Sequence, residues 1–224
     1  MSDKISLPLF PLNTVLFPGQ VLPLHIFEPR YQKMINQCID KDRPFGVALI
    51  QAGEEVGVAA VPHEVGTTAR VTQVERLDDG RLNIVSVGEM RFRIRTLDVT
   101  PDGYLRADVT LWPWAPSDVD VSGSLSDHVR GRLRRYVALL AKASGVQIEA
   151  NDLPDEATEL ACLTAIALQV DQLEKQDLLI SPSIVALLDK EIDLLRREVR
   201  MLQVVLKSLG RPKDDAEPVV FSAN

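Results

Sequence analysis

An α+β fold, strands with one early helix first and helices afterwards, is predicted by three observations. Short apolar runs separated by proline- and glycine-bearing turns fill the chain as far as Trp114. A single stretch of helical period, residues 29–39, interrupts them. From Asp127 onward, apolar residues recur at three- and four-residue spacing. The chain has 224 residues, 46% hydrophobic and 25% charged, enough to bury a core of its own.

The opening runs, residues 5–10 and 21–27, carry Pro8, Pro11 and Pro23. Proline donates no ladder bond, so they read as edge strands or as strands ended by kinks. Between them, Phe17-Pro18-Gly19-Gln20 has turn chemistry. Pro29 suits the first position of a helix and Glu28 its positive end. Tyr31, Met34, Ile35, Cys38 and Ile39 give that helix one apolar face. Residues 45–50 form a continuous apolar run, expected of a strand covered on both faces, and residues 58–61 read as a short strand ending at Pro62. Residues 67–77 and 82–87 flank the hairpin turn Asp78-Asp79-Gly80. Gly88 stands where a bulge would re-aim the strand. Beyond it Met90, Phe92 and Ile94 alternate with Arg91, Arg93 and Arg95. Pro101-Asp102-Gly103 is a further turn, and Leu105, Ala107, Val109 and Leu111 line one face of the next strand. Several short strands with such turns predict a twisted, partly closed β structure.

After Trp112-Pro113-Trp114-Ala115-Pro116, residues 117–126 read as a polar linker between a β part (1–114) and a helical part (127–209). Helices are expected over 127–144, 155–170, 172–180 and 183–209, the last begun by Ser181-Pro182. In that last helix Leu188, Ile192, Leu195, Val199, Leu202, Leu206 and Leu209 form a heptad seam, with Leu187, Leu194, Met201 and Val205 beside it. Either the other helices of the chain or a second copy covers the seam. Residues 210–224 are polar and are expected to be a disordered tail.

The string PLFPLNTVLFPGQVLPLHIFEPRY, followed by a short helix and PFGVALI, resembles the amino-terminal domain of Lon proteases, and more closely the stand-alone proteins carrying that domain alone. Pro8, Phe10, Pro11, Pro18, Gly19, Pro23, Phe27, Glu28, Tyr31, Phe45 and Gly46 carry the resemblance. It continues more weakly through Val56-Gly57, Gly66-Thr67-Thr68-Ala69, Gly88 with Arg91-Phe92, and the helices after Asp155. The resemblance implies a PUA-like β pseudo-barrel and a role in binding unfolded or exposed polypeptide segments, or a partner protein. It also implies no catalysis, because the ATPase and serine–lysine protease modules of full Lon proteases are not among these 224 residues. As similar pseudo-barrels occur in RNA-modification proteins, RNA or a nucleotide ligand is the alternative.

The residues themselves point to little chemistry. No phosphate-binding loop and no nucleophile elbow occurs, and His25, His63 and His128 are too dispersed for a metal signature, so no catalytic residue, cofactor or metal is expected. Cys38 and Cys162 lie on apolar helix faces and read as buried free thiols. A net charge of −7, acidic in both parts, argues against non-specific nucleic-acid binding. No signal peptide or spanning segment is evident, which predicts a cytoplasmic protein, either monomeric or dimeric through its helices. Two candidate surfaces remain. Arg91, Arg93 and Arg95 could present three guanidinium groups to an acidic peptide or phosphate, or form a solvated face balanced by carboxylates such as Asp108. Phe27, Arg30 and Tyr31 in the first segment, with Phe10 and Phe17, could line a peptide groove or simply belong to the core.

Overall fold

The computed structural model describes residues 4–54, 60–115, 119–146 and 152–209. Among the described residues, seven strands and five helices give the expected α+β class. The order is β1 (Lys4–Leu12), β2 (Val21–Ile26), α1 (Pro29–Asp40), β3 (Phe45–Ala52), β4 (Val61–Pro62), β5 (Val65–Arg76), β6 (Leu82–Val99) and β7 (Leu105–Leu111). Then come α2 (Val119–Ser144), α3 (Ala157–Ala167), α4 (Gln172–Leu179) and α5 (Ile184–Leu209). Residues 58 and 59 of the short strand expected before Pro62, and the 210–224 tail, lie outside the described residues.

The sheet closes on itself. β1 pairs with β7, β7 with β6, β6 with β5, β5 with β3, and β3 returns to β1 as the one parallel pair, Leu9 opposite Gly46. β1 is therefore no edge strand, which corrects the reading of its prolines. It hands over from β7 (residues 4–9) to β3 (residues 9–12), so each half has an open side where a proline costs no ladder bond. β2, pairing only with β6, is a true edge.

Two glycines let the barrel close. A Cβ on Gly66 would lie 2.3 Å from the Val47 carbonyl oxygen and 2.7 Å from the Phe92 ring; one on Gly88 would lie 2.3 Å from the Phe17 carbonyl oxygen. At Gly88 the strand instead exchanges backbone bonds with the proline turn: Gly88 N–H donates to Gln20 O at 2.9 Å, and Gly19 N–H to Gly88 O at 2.8 Å. Side chains on the two faces of β1 and β3 go to different cores. Leu7, Leu9 and Ala48 join Phe92 and Ala107, whereas Phe10, Leu12, Phe45 and Val47 pack beneath Tyr31, Met34, Ile35 and Cys38 of α1.

The helical part is not tethered but fused. α2 begins at Val119, eight residues before the helix start at Asp127 that the sequence suggested, so the polar stretch 119–126 is largely helix. Val15, Phe17, Leu49 and Val65 of the barrel share one apolar cluster with α2, α3, α4 and α5. Polar bonds cross the same boundary: Gln172 Oε1 accepts from Val15 N–H at 2.9 Å, and Gln176 Nε2 donates to Val65 O at 3.0 Å. Gln176 is buried, so Gln176→Met, which orphans the Val65 carbonyl, should cost about 1–2 kcal/mol. Urea unfolding measures this, and an unchanged midpoint would count against a contribution from that bond.

Ser183, not Ser181, caps α5: its Oγ accepts from Ala186 N–H at 3.2 Å. The seam of α5 is covered from within the chain through Leu188, Ile192, Leu195 and Val199. Beyond that point Met201, Val204 and Val205 stand exposed. Both cysteines are buried free thiols, and burial pushes Cys38 up to about 11 and Cys162 up to about 12, which makes them poor nucleophiles.

Candidate functional site

The six residues singled out from sequence do not form one site. Tyr31 is core: its ring stacks on Phe10 with centroids 4.0 Å apart. Arg30 lies over the Tyr31 ring at 4.6 Å, pairs with Glu28 at 2.9 Å and donates to Gly103 O at 3.4 Å. Glu28 stands at the positive end of α1, as expected, as its N-cap residue, and makes no side-chain cap bond. Phe27 alone of this group is well exposed, beside His25.

The arginine row is also broken up. Arg95 is exposed and donates Nε to Thr110 Oγ1 at 3.1 Å; Arg93 pairs with Glu64 at 3.4 Å. Arg91 is wholly buried. Its Nη1 donates to Leu179 O at 2.6 Å and Ser181 O at 3.0 Å, and its guanidinium lies 3.6 Å from the centre of the Trp114 ring and 4.3 Å from that of Trp112. Trp114 Nε1 donates to the same Ser181 carbonyl at 3.0 Å. Alternation along β6 does place the three arginines on one side. The helical part covers only the Arg91 end, which periodicity within a strand cannot register. Burial pulls Arg91 down to about 9, with Arg93 adding and Cys162 opposing, so it stays cationic at neutral pH. It is a clamp between barrel and helices, not the rim of an open site.

The concave site with uncommitted charge lies elsewhere. A groove of about 600 Å³ runs between the first half of β1 and the carboxy-terminal end of α1. Its floor is Ile5, Leu7, Pro8, Pro44 and Tyr104, with Gln37 held by the Tyr104 hydroxyl, which donates at 3.2 Å. Lys41, Arg43 and Arg106 stand exposed around it. The end of α1 places two of them. Asp42 takes the left-handed conformation (φ 45°), and Arg43 N–H turns back to Cys38 O at 2.9 Å. Asp42 itself is engaged by Arg70 at 3.0 Å and leaves the neighbouring cations unneutralised. Along residues 4–8, β1 has β7 on one side and, among the described residues, no strand on the other. The groove thus combines an open strand edge, an apolar floor and a cationic rim. Sequence reasoning missed Lys41, Arg43 and Arg106. The Lys41-Asp42-Arg43-Pro44 string at a helix end and the outward position of Arg106 were the available signals, but neither says that the two meet.

Among the described residues, no helix is long and apolar enough to cross a membrane. No group of three or more His, Cys, Asp or Glu side chains there is placed to hold a metal ion.

Barrel, α1 and fused helices define a PUA-like pseudo-barrel with a helical extension, the architecture of Lon amino-terminal domains. The chain belongs to the family described as the ATP-dependent protease La (LON) substrate-binding domain, whose model matches residues 6–197. It is 26% identical over 219 residues to a Lon protease of Rhizobium meliloti, covering 96% of this chain and 27% of that protein. To a Lon protease of Flavobacterium johnsoniae it is 34% identical over 107 residues, 47% of this chain and 13% of that one. The chain therefore spans about a quarter or less of the length of these relatives. Among solved structures, the Lon N-terminal domain protein from Xanthomonas campestris superposes with a TM-score of 0.60 at 25% identity, over 89% of this chain and 98% of that one. The N-terminal domain of Mycobacterium avium complex Lon protease gives 0.66 at 20% identity, over 86% and 98%, a likeness of fold.

Proposed function

We propose that this chain binds exposed segments of other polypeptides, without covalent chemistry, in the groove between β1 and α1. The observation that carries this reading is the unneutralised Lys41, Arg43 and Arg106 around an apolar floor, beside the open edge of β1. An extended segment laid along residues 4–8 would gain main-chain hydrogen bonds and seat alternate apolar side chains in the groove. An acidic side chain or a terminal carboxylate would meet the rim. Membership of a substrate-binding-domain family supports the same reading. The arginine row on which the RNA alternative would draw is not a continuous surface.

The test is fluorescence anisotropy with a labelled ten-residue peptide of alternating Val and Ser ending in a free-carboxylate Glu. The comparison is with a Lys-ended, amidated version. Lys41→Glu/Arg43→Glu/Arg106→Glu should weaken the first by on the order of tenfold and spare the fold, since all three side chains are exposed. Equal affinity in the triple variant would overturn the placement of the site.

A further inference from the structure

A second groove, about 560 Å³, lies between α2 and α5. Arg132 and Arg135 of α2 and Arg196 and Arg200 of α5 line it. Its apolar side chains, Leu195 and Val199, are already buried in the chain's own core, so what the groove offers is charge. Little of that charge is answered. Arg196 pairs with Asp193 at 3.1 Å, while Arg132 reaches the His128 carbonyl of its own helix at 3.4 Å. Asp127, which also lines the groove, is taken by Arg130 at 2.8 Å. Arg135 and Arg200 are exposed and have no carboxylate within 4.0 Å among the described residues.

The matching charge follows α5 directly in the same chain. Residues 210–217 read Gly-Arg-Pro-Lys-Asp-Asp-Ala-Glu, with carboxylates at Asp214, Asp215 and Glu217. Gly210 and Pro212 are the residue types that end a helix and turn the chain. The two intervening cations, Arg211 and Lys213, precede the acidic run. Reach is sufficient. Arg200 lies nine residues before the end of α5 at Leu209, roughly 14 Å along the helix axis. A chain running from residue 210 to residue 217 spans up to roughly 27 Å, so the acidic run can double back past Arg200 to the arginines of α2.

We propose that residues 214–217 fold back onto the α2–α5 groove of their own chain and mask its arginines, with the carboxylates on Arg135 and Arg200. The contact needs no apolar floor. A lone exposed ion pair is weak, but several held together by a short linker act at high effective concentration. The segment thereby closes a cationic surface that an acidic ligand from outside would otherwise find open. This self-masking contact is independent of the β1–α1 groove and of the function proposed for it.

The test places a nitroxide on Ala216→Cys in the full chain and reads amide NMR intensities. Cys38 and Cys162 are buried and do not compete for the label. Amides of residues 128–136 and 195–203 should lose at least about half of their intensity at about 50 mM NaCl, and regain it at about 500 mM. Arg135→Glu/Arg200→Glu should abolish the loss while melting as the parent does, because both side chains are exposed. Asp214→Asn/Asp215→Asn/Glu217→Gln, which leaves the described fold untouched, should abolish it equally. Full intensity in the parent at low salt overturns the proposal. So does a loss that persists in either variant, since the contact would then not be ionic. Broadening around Lys41, Arg43 and Arg106 instead would assign the segment to the barrel groove and refute masking of α2 and α5. Mixing spin-labelled chains with isotope-labelled, unlabelled-cysteine chains checks the last point. Broadening carried between copies would make the contact intermolecular and overturn the fold-back.

Discussion

Arg91→Ala is expected to destabilise the chain by about 3–4 kcal/mol, the largest loss available from a single side chain outside the apolar cores. Two charge-assisted bonds, to the Leu179 and Ser181 carbonyls, disappear together. Each contributes about 1.5–3 kcal/mol, and the desolvated contacts with Trp112 and Trp114 add about 2 more. Relief from burying a cation offsets part of the sum. Because Leu179 and Ser181 belong to the helical part and Arg91 to β6, the loss falls on the joint. Unfolding followed by tryptophan fluorescence, with both indoles at that joint, should then shift to lower urea. It should also separate from the transition followed by circular dichroism at helical wavelengths. Arg91→Lys restores the charge but not the planar stacking on Trp112 and Trp114, and should recover less than half of the loss. A single coincident transition with an unchanged midpoint in Arg91→Ala would refute the clamp.

Glu191 makes the opposite prediction. It sits in the buried face of α5 beside Leu188, Ile192 and Leu195, is wholly inaccessible, and neither carboxyl oxygen has a hydrogen-bond partner among the described residues. Burial therefore raises the Glu191 carboxyl well above its ordinary 4.5. The sign follows from proton counting. Below 4.5 native and unfolded chains both hold the proton, and nothing is gained or lost. As pH rises above 4.5 the unfolded chain releases it while the native chain keeps it, so stability falls by up to about 1.4 kcal/mol per pH unit until the native group ionises. Glu191→Leu removes that loss and adds apolar contact. It should be more stable than the parent by on the order of 2 kcal/mol at pH 7.5. The difference should shrink as pH is lowered to 4.5. Glu191→Gln should show the same trend with a smaller offset. A difference between parent and Leu variant that does not change with pH would mean that the carboxyl has found a partner.

The two predictions concern two buried ionisable side chains, Arg91 and Glu191, and both were invisible in the linear chain. Arg91 reads as one member of an exposed row, because Arg91, Arg93 and Arg95 alternate with apolar neighbours. Glu191 reads as a polar break beside a heptad seam. Arg91 is buried because the helices pack over its end of β6, and Glu191 because its face of α5 turns into the apolar cluster.

The features legible in the linear chain are local ones. Turns at residues 17–20, 78–80 and 101–103, the apolar face of α1, the continuous run of β3 and the seam of α5 all follow from dihedral preferences and residue period, and they suffice for the α+β class. The proline- and glycine-studded first segment also carried the family resemblance, because those residues mark close approaches and open edges wherever the chain goes. Which surfaces stay open was settled by long-range packing. Closing β1 onto β3 brought Lys41 and Arg43 to a groove with Arg106, sixty residues further along. Packing α2 against α5 set four arginines around one groove, and fusing the helices to the barrel removed Arg91 from the surface. Period reports which way a side chain faces from its own element. Burial depends on what lies opposite, and that is settled by contacts between residues far apart in the chain.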